Sequence, residues 1–202
     1  MVRIENISYK PVAVRDLLVE MKDISELMID LAYSAALFHS RELAEDVLEL
    51  EEHVDTLAYL LDMNAMLAAR DAEDAEALVG VSVVAAAANK ISDAAADIAA
   101  IVLQEIGIHP IVREAFHRVE EQLVRVQVQS RSILIGRKLG DLQLAARIGV
   151  DVIAIRREKE WLINPQENEI VGNEDVLVAR GAPMGIEEFQ KLAQGTIQKL
   201  ED

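Results

Sequence analysis

A stripe of oxygen-bearing side chains lies in the segment NKISDAAADIA (residues 89–99). Asn89, Asp93 and Asp97 recur every four residues, which puts them on one face of a helix. Carboxylate and amide oxygens bind hard cations such as Mg²⁺ or Ca²⁺, and a facing helix could supply the remaining ligands. Acidic stripes also occur on ordinary solvated helix faces. The sequence therefore leaves open a divalent metal site and a solvent-facing surface, and it indicates no other cofactor.

The preceding helical segment carries a second polar group, formed by Glu45, Glu49, Glu52 and His53. Carboxylates and a histidine could also hold a metal ion. Because no partner at ligand distance can be named for them, we predict that this group is a solvated face.

Two adjacent arginines close an apolar run in DVIAIRREKEWLINP (residues 151–165). Because neighbouring side chains of a strand point to opposite faces, Arg156 and Arg157 cannot easily act as one clamp. One of them could bind a phosphate or carboxylate through two parallel hydrogen bonds. Local ion pairing at the strand end is the alternative, and we expect it for at least one of the two.

The composition excludes several classes of function. The formal net charge is −16, so we expect no binding to nucleic acid or to anionic lipid, because both need a basic surface. The chain contains no cysteine, which removes disulfides and thiolate chemistry. It also lacks the G-x-S-x-G, P-loop and H-E-x-x-H motifs, and we predict that it is not an enzyme.

Targeting signals are not visible in the sequence. The start, Met1-Val2-Arg3-Ile4-Glu5, carries charges where a signal peptide is apolar. No apolar run reaches the ~18 residues that a spanning helix needs. We therefore expect a cytoplasmic protein that does not insert into a membrane and that reaches one only through a partner.

The first half of the chain predicts three long helices. Apolar residues recur along each of them at steps of three and four, which is typical of helices packed on one face. A break at His39-Ser40 and the polar segment 70–76 separate the helices, and short connections make neighbours antiparallel. Asn64 continues the second set and is expected to fix its register. The three sets are Val14, Leu17, Met21, Ile24, Met28, Leu31, Ala35 and Phe38; Leu43, Val47, Leu50, Val54, Leu57 and Leu61; and Ala77, Val81, Val84, Ala88, Ile91, Ala95, Ile98 and Val102.

The pattern changes after Gly107 and Pro110, which are expected to end the third helix. A short helix could follow over residues 111–120. From LVRVQVQ (123–129) onward, alternation with period two predicts strands. The predicted elements are strand 123–129, helix 142–149, strands 152–156, 161–163 and 175–180, and helix 184–200. This order, β-α-β-β-β-α, predicts a small α+β domain of about 80 residues that follows the antiparallel three-helix bundle in the chain.

Residues 123–181 resemble the TrkA-C, or RCK-C, regulatory domain of potassium channels and transporters. The matching sequence is ILIGRKLGDLQLAARIGVDVIAIRR (133–157), followed by NP (164–165) and GNEDVLVARG (172–181). Glu174 departs from the family, which often has Gly there. The resemblance implies a TrkA-C domain over residues 116–202.

The segment 89–99 is similar to E-R-I-G-D-x-A-x-N-I-A of PhoU proteins, whose acidic pair binds metal in some relatives. Asp93 matches the second acid, whereas Asn89 replaces the usual Glu and Asp97 stands where Asn is frequent. PhoU proteins usually carry two such helical units, and this chain has one, over residues 1–115. The resemblance therefore implies a homodimer that rebuilds the pair.

Together the resemblances imply a cytoplasmic regulatory partner of a potassium or other cation channel or transporter, as in small archaeal proteins linked to potassium transport. The alternative is a metal-binding PhoU-like protein that acts in ion homeostasis or signalling, outside transport itself.

Some TrkA-C dimers hold a small anion, such as a cyclic dinucleotide, at their two-fold interface. The resemblance implies that four residues of this chain lie near such a ligand, namely Val150, Asp151, Val152 and Pro165. Arg147 and Arg156 are the cationic residues expected to bind the anion. Asp151 stands where several relatives have Asn, and its charge would repel an anion.

Overall fold

The chain divides into two compact units, Met1–Phe116 and His117–Asp202. The computed structural model describes residues 7–104, 111 and 121–197. The first unit contains the helices α1 (Val14–Phe38), α2 (Arg41–Ala68) and α3 (Ala72–Leu103). The second contains β1 (Gln122–Gln127), α4 (Leu139–Leu142), α5 (Leu144–Ile148), β2 (Val150–Arg157), β3 (Glu160–Ile163), β4 (Val176–Gly181) and α6 (Pro183–Gln194). This layout confirms the predicted fold class, a helical unit followed by a small α+β unit.

Local sequence signals place the breaks between the helices. The His39 backbone adopts the left-handed conformation that closes α1, and the Ser40 hydroxyl accepts a hydrogen bond from the Leu43 amide. Asp71 caps α3 in the same way, by accepting from the Asp74 amide at 2.9 Å. The predicted end of the third helix at Gly107 and Pro110 lies outside the described residues, as does most of the predicted helix 111–120.

The core of the first unit confirms the predicted apolar face of α2 and most of that of α1, from which Phe38 departs because it is 47% exposed at the end of the helix. Large aliphatic and methionine side chains fill it, including Met21, Leu31, Leu50 and Leu61, each fully buried. Asn64 is buried at the end of this row. Its carbonyl oxygen accepts from the Val12 amide, and its amide nitrogen donates to the Lys10 and Leu60 carbonyls.

The third helix differs from its prediction. Its buried residues are small, namely Ala85, Ala88, Ser92, Ala95 and Ala99. The predicted core residues Val84 and Ile91 are instead 56% and 42% exposed. Small side chains let helix axes approach closely, and the Ser25 hydroxyl of α1 reaches the Ala88 carbonyl of α3 at 3.2 Å. Because α3 is apolar on two adjacent faces, periodicity alone could not select the face that packs.

By length and composition alone, α3 is the one described helix that could cross a membrane. A single such helix is weak evidence, since core helices of soluble proteins meet the same criterion. Only 17% of its most apolar 18-residue window is buried, so much of its apolar surface lies on the outer side.

The second unit is a four-stranded antiparallel sheet with the order β1-β4-β2-β3. α6 packs on the sheet through Ile186, Phe189 and Leu192, which are buried. The helix predicted over 184–200 ends earlier, at Gln194, because Gly195 turns the backbone with φ +70°. The helix predicted over 142–149 is split into α4 and α5 at Gln143, which also has a positive φ.

Candidate functional site

Three carboxylates meet between the second and third helices. Glu51 and Asp55 lie one turn apart on α2, and Asp93 faces them from α3. Each contributes one oxygen atom, and the three atoms lie within 4.8 Å of one another. Like charges at this distance repel, so the arrangement favours a bound cation or a proton.

The pKa of Glu51 reflects this crowding. Burial is the largest cause of its rise above the ordinary value, and the charges of Asp55, Asp93 and Glu52 add to it. Glu51 and Asp55 are half-buried, whereas Asp93 is exposed. A divalent cation would neutralise this repulsion and could fill its remaining ligand positions with water.

Asn89 adds a second observation at this place. It lies four residues before Asp93, one helical turn away, and its side-chain oxygen is buried without a hydrogen-bond donor among the described residues. A buried oxygen that lacks a donor usually marks the place of a water or an ion. The three carboxylates of Glu51, Asp55 and Asp93 therefore fit a hard divalent cation, and Asn89 lies one helical turn from Asp93 on α3.

The structure gathers the predicted metal ligands only in part. Asp93 belongs to the cluster, whereas Asp97 lies one turn further along α3 and is not one of the three clustered acids. Sequence reasoning missed Glu51 and Asp55, although their four-residue spacing repeats that of Asn89 and Asp93. The rotation of α2, set by its buried leucines and valines, decides which of its many acids face α3.

The second polar group behaves as a solvated face in the described structure. Glu45 pairs with Arg41 at 2.8 Å, and His53 contacts Glu20 of α1 at 3.1 Å. These side chains are about half exposed or more, so their pairs contribute little to stability.

We predict that Mg²⁺, Ca²⁺ or Mn²⁺ stabilises the helical unit through the carboxylate cluster. A cation at about 100 times its Kd should add about 2.7 kcal/mol, and Glu51→Gln should remove most of this gain. Without metal, the raised pKa of Glu51 means that the folded state binds its proton more tightly. Stability should therefore fall as pH rises through that pKa, and the variant should lose this dependence.

Thermal melts followed by circular dichroism at 222 nm measure both effects. Asp97→Asn is the matched control and should keep the full response to metal. A response lost in Asp97→Asn and retained in Glu51→Gln would move the site to the stripe of Asn89, Asp93 and Asp97 predicted from the sequence.

The arginine at the end of β2 has a structural role. Arg157 binds Asp175 through two parallel hydrogen bonds, Nε to Oδ1 at 2.9 Å and Nη2 to Oδ2 at 2.8 Å. The same guanidinium also donates to the Ile170 carbonyl and to Glu169. Since Asp175 is buried, the pair ties the strand end to the loop before β4. One of the two arginines is thus ion-paired, as expected, but its partners are distant in the chain rather than at the strand end.

The electrostatics of this pair hold both groups charged. Burial alone would raise the pKa of Asp175, but hydrogen bonds from Arg157 and from the Gly172 amide bring it below its ordinary value. The hydrogen bonds with Asp175, and after them those with Glu169, raise the pKa of Arg157. Glu174 precedes the buried acid with φ +66°, a conformation that costs a residue other than Gly about 1–2 kcal/mol.

Arg156 points to the other side of the strand. Its guanidinium carbon lies 5.9 Å from the centre of the Trp161 ring, its cross-strand partner on β3. This distance suits a cation–π contact. Arg156 therefore already lies against Trp161, and its contact with a ligand stays a prediction.

The remaining predicted ligand residues surround the start of β2. The side chains of Val150 and Val152 are buried in the core, whereas Asp151 is exposed and lies across from Arg180 of β4. Because β3 pairs with β2 only from Ala154 onward, no described strand covers the other edge of residues 150–152. This edge could offer peptide groups to a ligand. Arg147 lies in the last turn of α5, and Pro165 follows β3.

We predict that Arg157→Met destabilises the second unit by about 2–3 kcal/mol, because it leaves Asp175 buried without its cation. The expected loss of stability is smaller than for a fully buried ion pair because Arg157 is about half exposed. The lowered pKa of Asp175 makes this contribution present above its ordinary pKa of about 4 and lost as pH falls below it.

Urea unfolding followed by Trp161 fluorescence measures this unit, since Trp161 is the single tryptophan of the chain. Arg180→Met is the control, because its ion pair with Glu121 is exposed on both sides and should contribute below about 0.5 kcal/mol. Equal losses in the two variants would contradict the assigned role of the buried pair.

Two different protein-family models match the chain, one in each of the two units. The model of the PhoU domain matches residues 18–102, and that of the TrkA-C domain matches residues 123–194. The chain carries a PhoU domain followed by a TrkA-C domain. The first match contains the carboxylate cluster, and the second contains the Arg157–Asp175 pair and the start of β2.

Individual relatives cover only part of the chain. It is 36% identical over 72 residues to the Ktr system potassium uptake protein C of Bacillus subtilis, a match that spans 36% of this chain and 32% of that protein. Among solved structures, the RCK C domain of the potassium transport protein KtrA in complex with c-di-AMP is 26% identical, with 41% of this chain and 94% of that chain covered and a TM-score of 0.34.

The RCK_C domain dimer of Streptococcus agalactiae BusR with c-di-AMP is a more distant match. It is 16% identical, with 38% of this chain and 95% of that chain covered and a TM-score of 0.35. At TM-scores this low, neither likeness says what this chain binds.

Proposed function

We propose that this protein is a cytoplasmic regulatory subunit of a potassium or other cation channel or transporter and that it acts as a homodimer. The observation that carries the proposal is the TrkA-C domain, matched over residues 123–194 and folded as a complete antiparallel sheet with its closing helix. The 36% identical stretch shared with a potassium uptake protein supports the same process.

The chemistry of the described residues supports a binding role. Asp175 is the one buried charged residue among the described residues of the second unit, and its hydrogen bonds with Arg157 balance its charge and hold the fold together. A domain of this kind changes the state of a partner by docking or by binding a ligand, and we propose no catalytic step for it. The net charge of −16 favours a protein partner with a basic surface over nucleic acid.

A small anionic ligand is the finer part of the proposal. The exposed edge of residues 150–152 can supply peptide N–H groups, Arg147 precedes it in the chain, and Arg156 would have to reach the ligand from the far end of β2. A cyclic dinucleotide combines phosphates for the arginines with planar bases that suit the backbone edge. The exposed carboxylate of Asp151 weakens such binding by repulsion.

The second candidate function is metal-dependent signalling through the PhoU domain, outside transport itself. Convergence of Glu51, Asp55 and Asp93 favours it. It predicts that the cellular role depends on the cluster, whereas the regulatory proposal places the essential surface in the TrkA-C domain.

We predict that the full-length chain, used as bait on detergent-solubilised membranes of its own cells, retains a cation channel or transporter. A Glu51→Gln/Asp93→Asn bait should retain the same protein if the TrkA-C domain carries the contact. Quantitative mass spectrometry against beads without bait measures the enrichment. Recovery without any cation transporter would contradict the proposal, and loss of the transporter only in the cluster variant would favour the metal-dependent alternative.

We predict further that Asp151→Asn tightens binding of a cyclic dinucleotide by about threefold to tenfold, because it removes one exposed negative charge near the phosphates. Titration of c-di-AMP and c-di-GMP, followed by Trp161 fluorescence or calorimetry, measures the Kd. Glu160→Gln removes an equally exposed charge at the far end of the β2–β3 pair and should change the Kd little. Absence of binding in both wild type and Asp151→Asn would rule out this ligand class and leave the transporter proposal standing.

A further inference from the structure

The outer face of α3 is an apolar surface with heptad spacing. Its members recur at steps of three and four over 18 residues, about 26 Å of helix, and we call them the α3 outer stripe: Val84, Ala87, Ile91, Ala94, Ile98 and Ile101. Val84 is 56% exposed, Ile91 42% and Ile101 40%. Ala87 and Ala94 are exposed as well and Ile98 is half-buried, so the described residues leave most of this face uncovered.

This stripe differs from the face that packs inside the unit. The internal face of α3 carries small residues such as Ala88, Ser92 and Ala95, while the branched residues point outward. Branched aliphatic side chains at heptad positions are typical of helix–helix interfaces rather than of solvated surfaces. Exposed contiguous apolar surface on this scale usually marks an interaction site.

The alternation of large and small residues makes the stripe complementary to itself. In an antiparallel pair of α3 helices centred between residues 92 and 93, Ile91 of one copy faces Ala94 of the other. In the next layer, Ile98 faces Ala87. In these two layers each large side chain meets a small one, whereas Val84 of one copy faces Ile101 of the other in the end layers, and the two-fold axis repeats every contact. Val84 and Ile101 close the ends of this interface.

The charged residues beside the stripe favour this antiparallel alignment over one shifted by a heptad. Lys90 and Asp97 flank the stripe on the side away from the bundle, and neither forms an ion pair with a described residue. In the antiparallel alignment given above, Lys90 of each copy lies beside Asp97 of the other, which gives two salt bridges. Shifting one helix by one heptad also matches large with small residues, but it brings the two Lys90 side chains together.

We propose that two copies of this chain associate through the antiparallel α3 outer stripe. The proposal names the surface of the homodimer in the proposed function and does not depend on a transporter or on a ligand of the TrkA-C domain. A second copy fits this face better than a generic apolar partner, because both the size alternation and the Lys90–Asp97 pairing are satisfied by the sequence of α3 itself.

Sedimentation of the purified full chain tests the proposal. Wild type should be a dimer, and Ile91→Glu should raise the dimer Kd by about 100-fold or more, because it places a charge in the centre of the stripe. Val79→Glu is the matched control, since Val79 is 62% exposed on the same helix but lies outside the stripe, and it should leave the Kd unchanged. Circular dichroism checks that both variants keep their helices.

Charge reversal tests the alignment. Lys90→Glu and Asp97→Lys should each weaken the dimer about tenfold, because each turns two attractions into two repulsions. The double variant should recover the wild-type Kd. A double variant as weak as the single ones would overturn the antiparallel alignment.

The remaining outcomes separate this proposal from the broader one. A dimer that persists in Ile91→Glu would overturn the α3 interface and leave a homodimer through another surface. A wild-type monomer over the micromolar range would overturn the interface and the homodimer together, while the transporter partner would still be judged by the membrane pull-down.

Discussion

Close packing of α3 through small side chains is the constraint on which the helical unit depends. Alanine and serine at the internal face let the backbone of α3 lie near α1, as the contact between the Ser25 hydroxyl and the Ala88 carbonyl shows. This rotation of the helix has two consequences. It turns Asp93 toward Glu51 and Asp55 of α2, and it turns Val84 and Ile91 outward.

The carboxylate cluster and the α3 outer stripe therefore both result from the rotation of α3 that buries its small residues. Large residues at the internal face would push α3 away from α2 and separate the three carboxylates. The chain instead buries its large aliphatic residues on α1 and α2, where leucines and methionines fill the core. Burial and, after it, repulsion from the neighbouring acids raise the pKa of Glu51, and the cluster tolerates both because it remains partly open to solvent or to a cation.

The TrkA-C domain depends on a different interaction, the buried pair of Arg157 and Asp175. It fastens the end of β2 to the loop before β4, and so it fixes the sheet whose other end presents the edge of residues 150–152. The two adjacent arginines of this strand have different contacts because neighbouring side chains of a strand point to opposite faces. Arg157 neutralises a buried acid, and Arg156 covers Trp161.

The sequence by itself determined the elements and their order. Heptad spacing predicted the helices, the break at His39-Ser40 and the polar segment 70–76 predicted where they separate, and alternation with period two predicted the strands. Motifs in the second half indicated the TrkA-C domain. These features are local, since each depends on residues close together in the chain. Only the tertiary structure decided which face of α3 is buried, which acids of α2 join Asp93, and that Asp175 is the partner of Arg157. Those outcomes depend on helix rotation and on contacts between distant residues, where several arrangements satisfy the same local pattern and packing selects one.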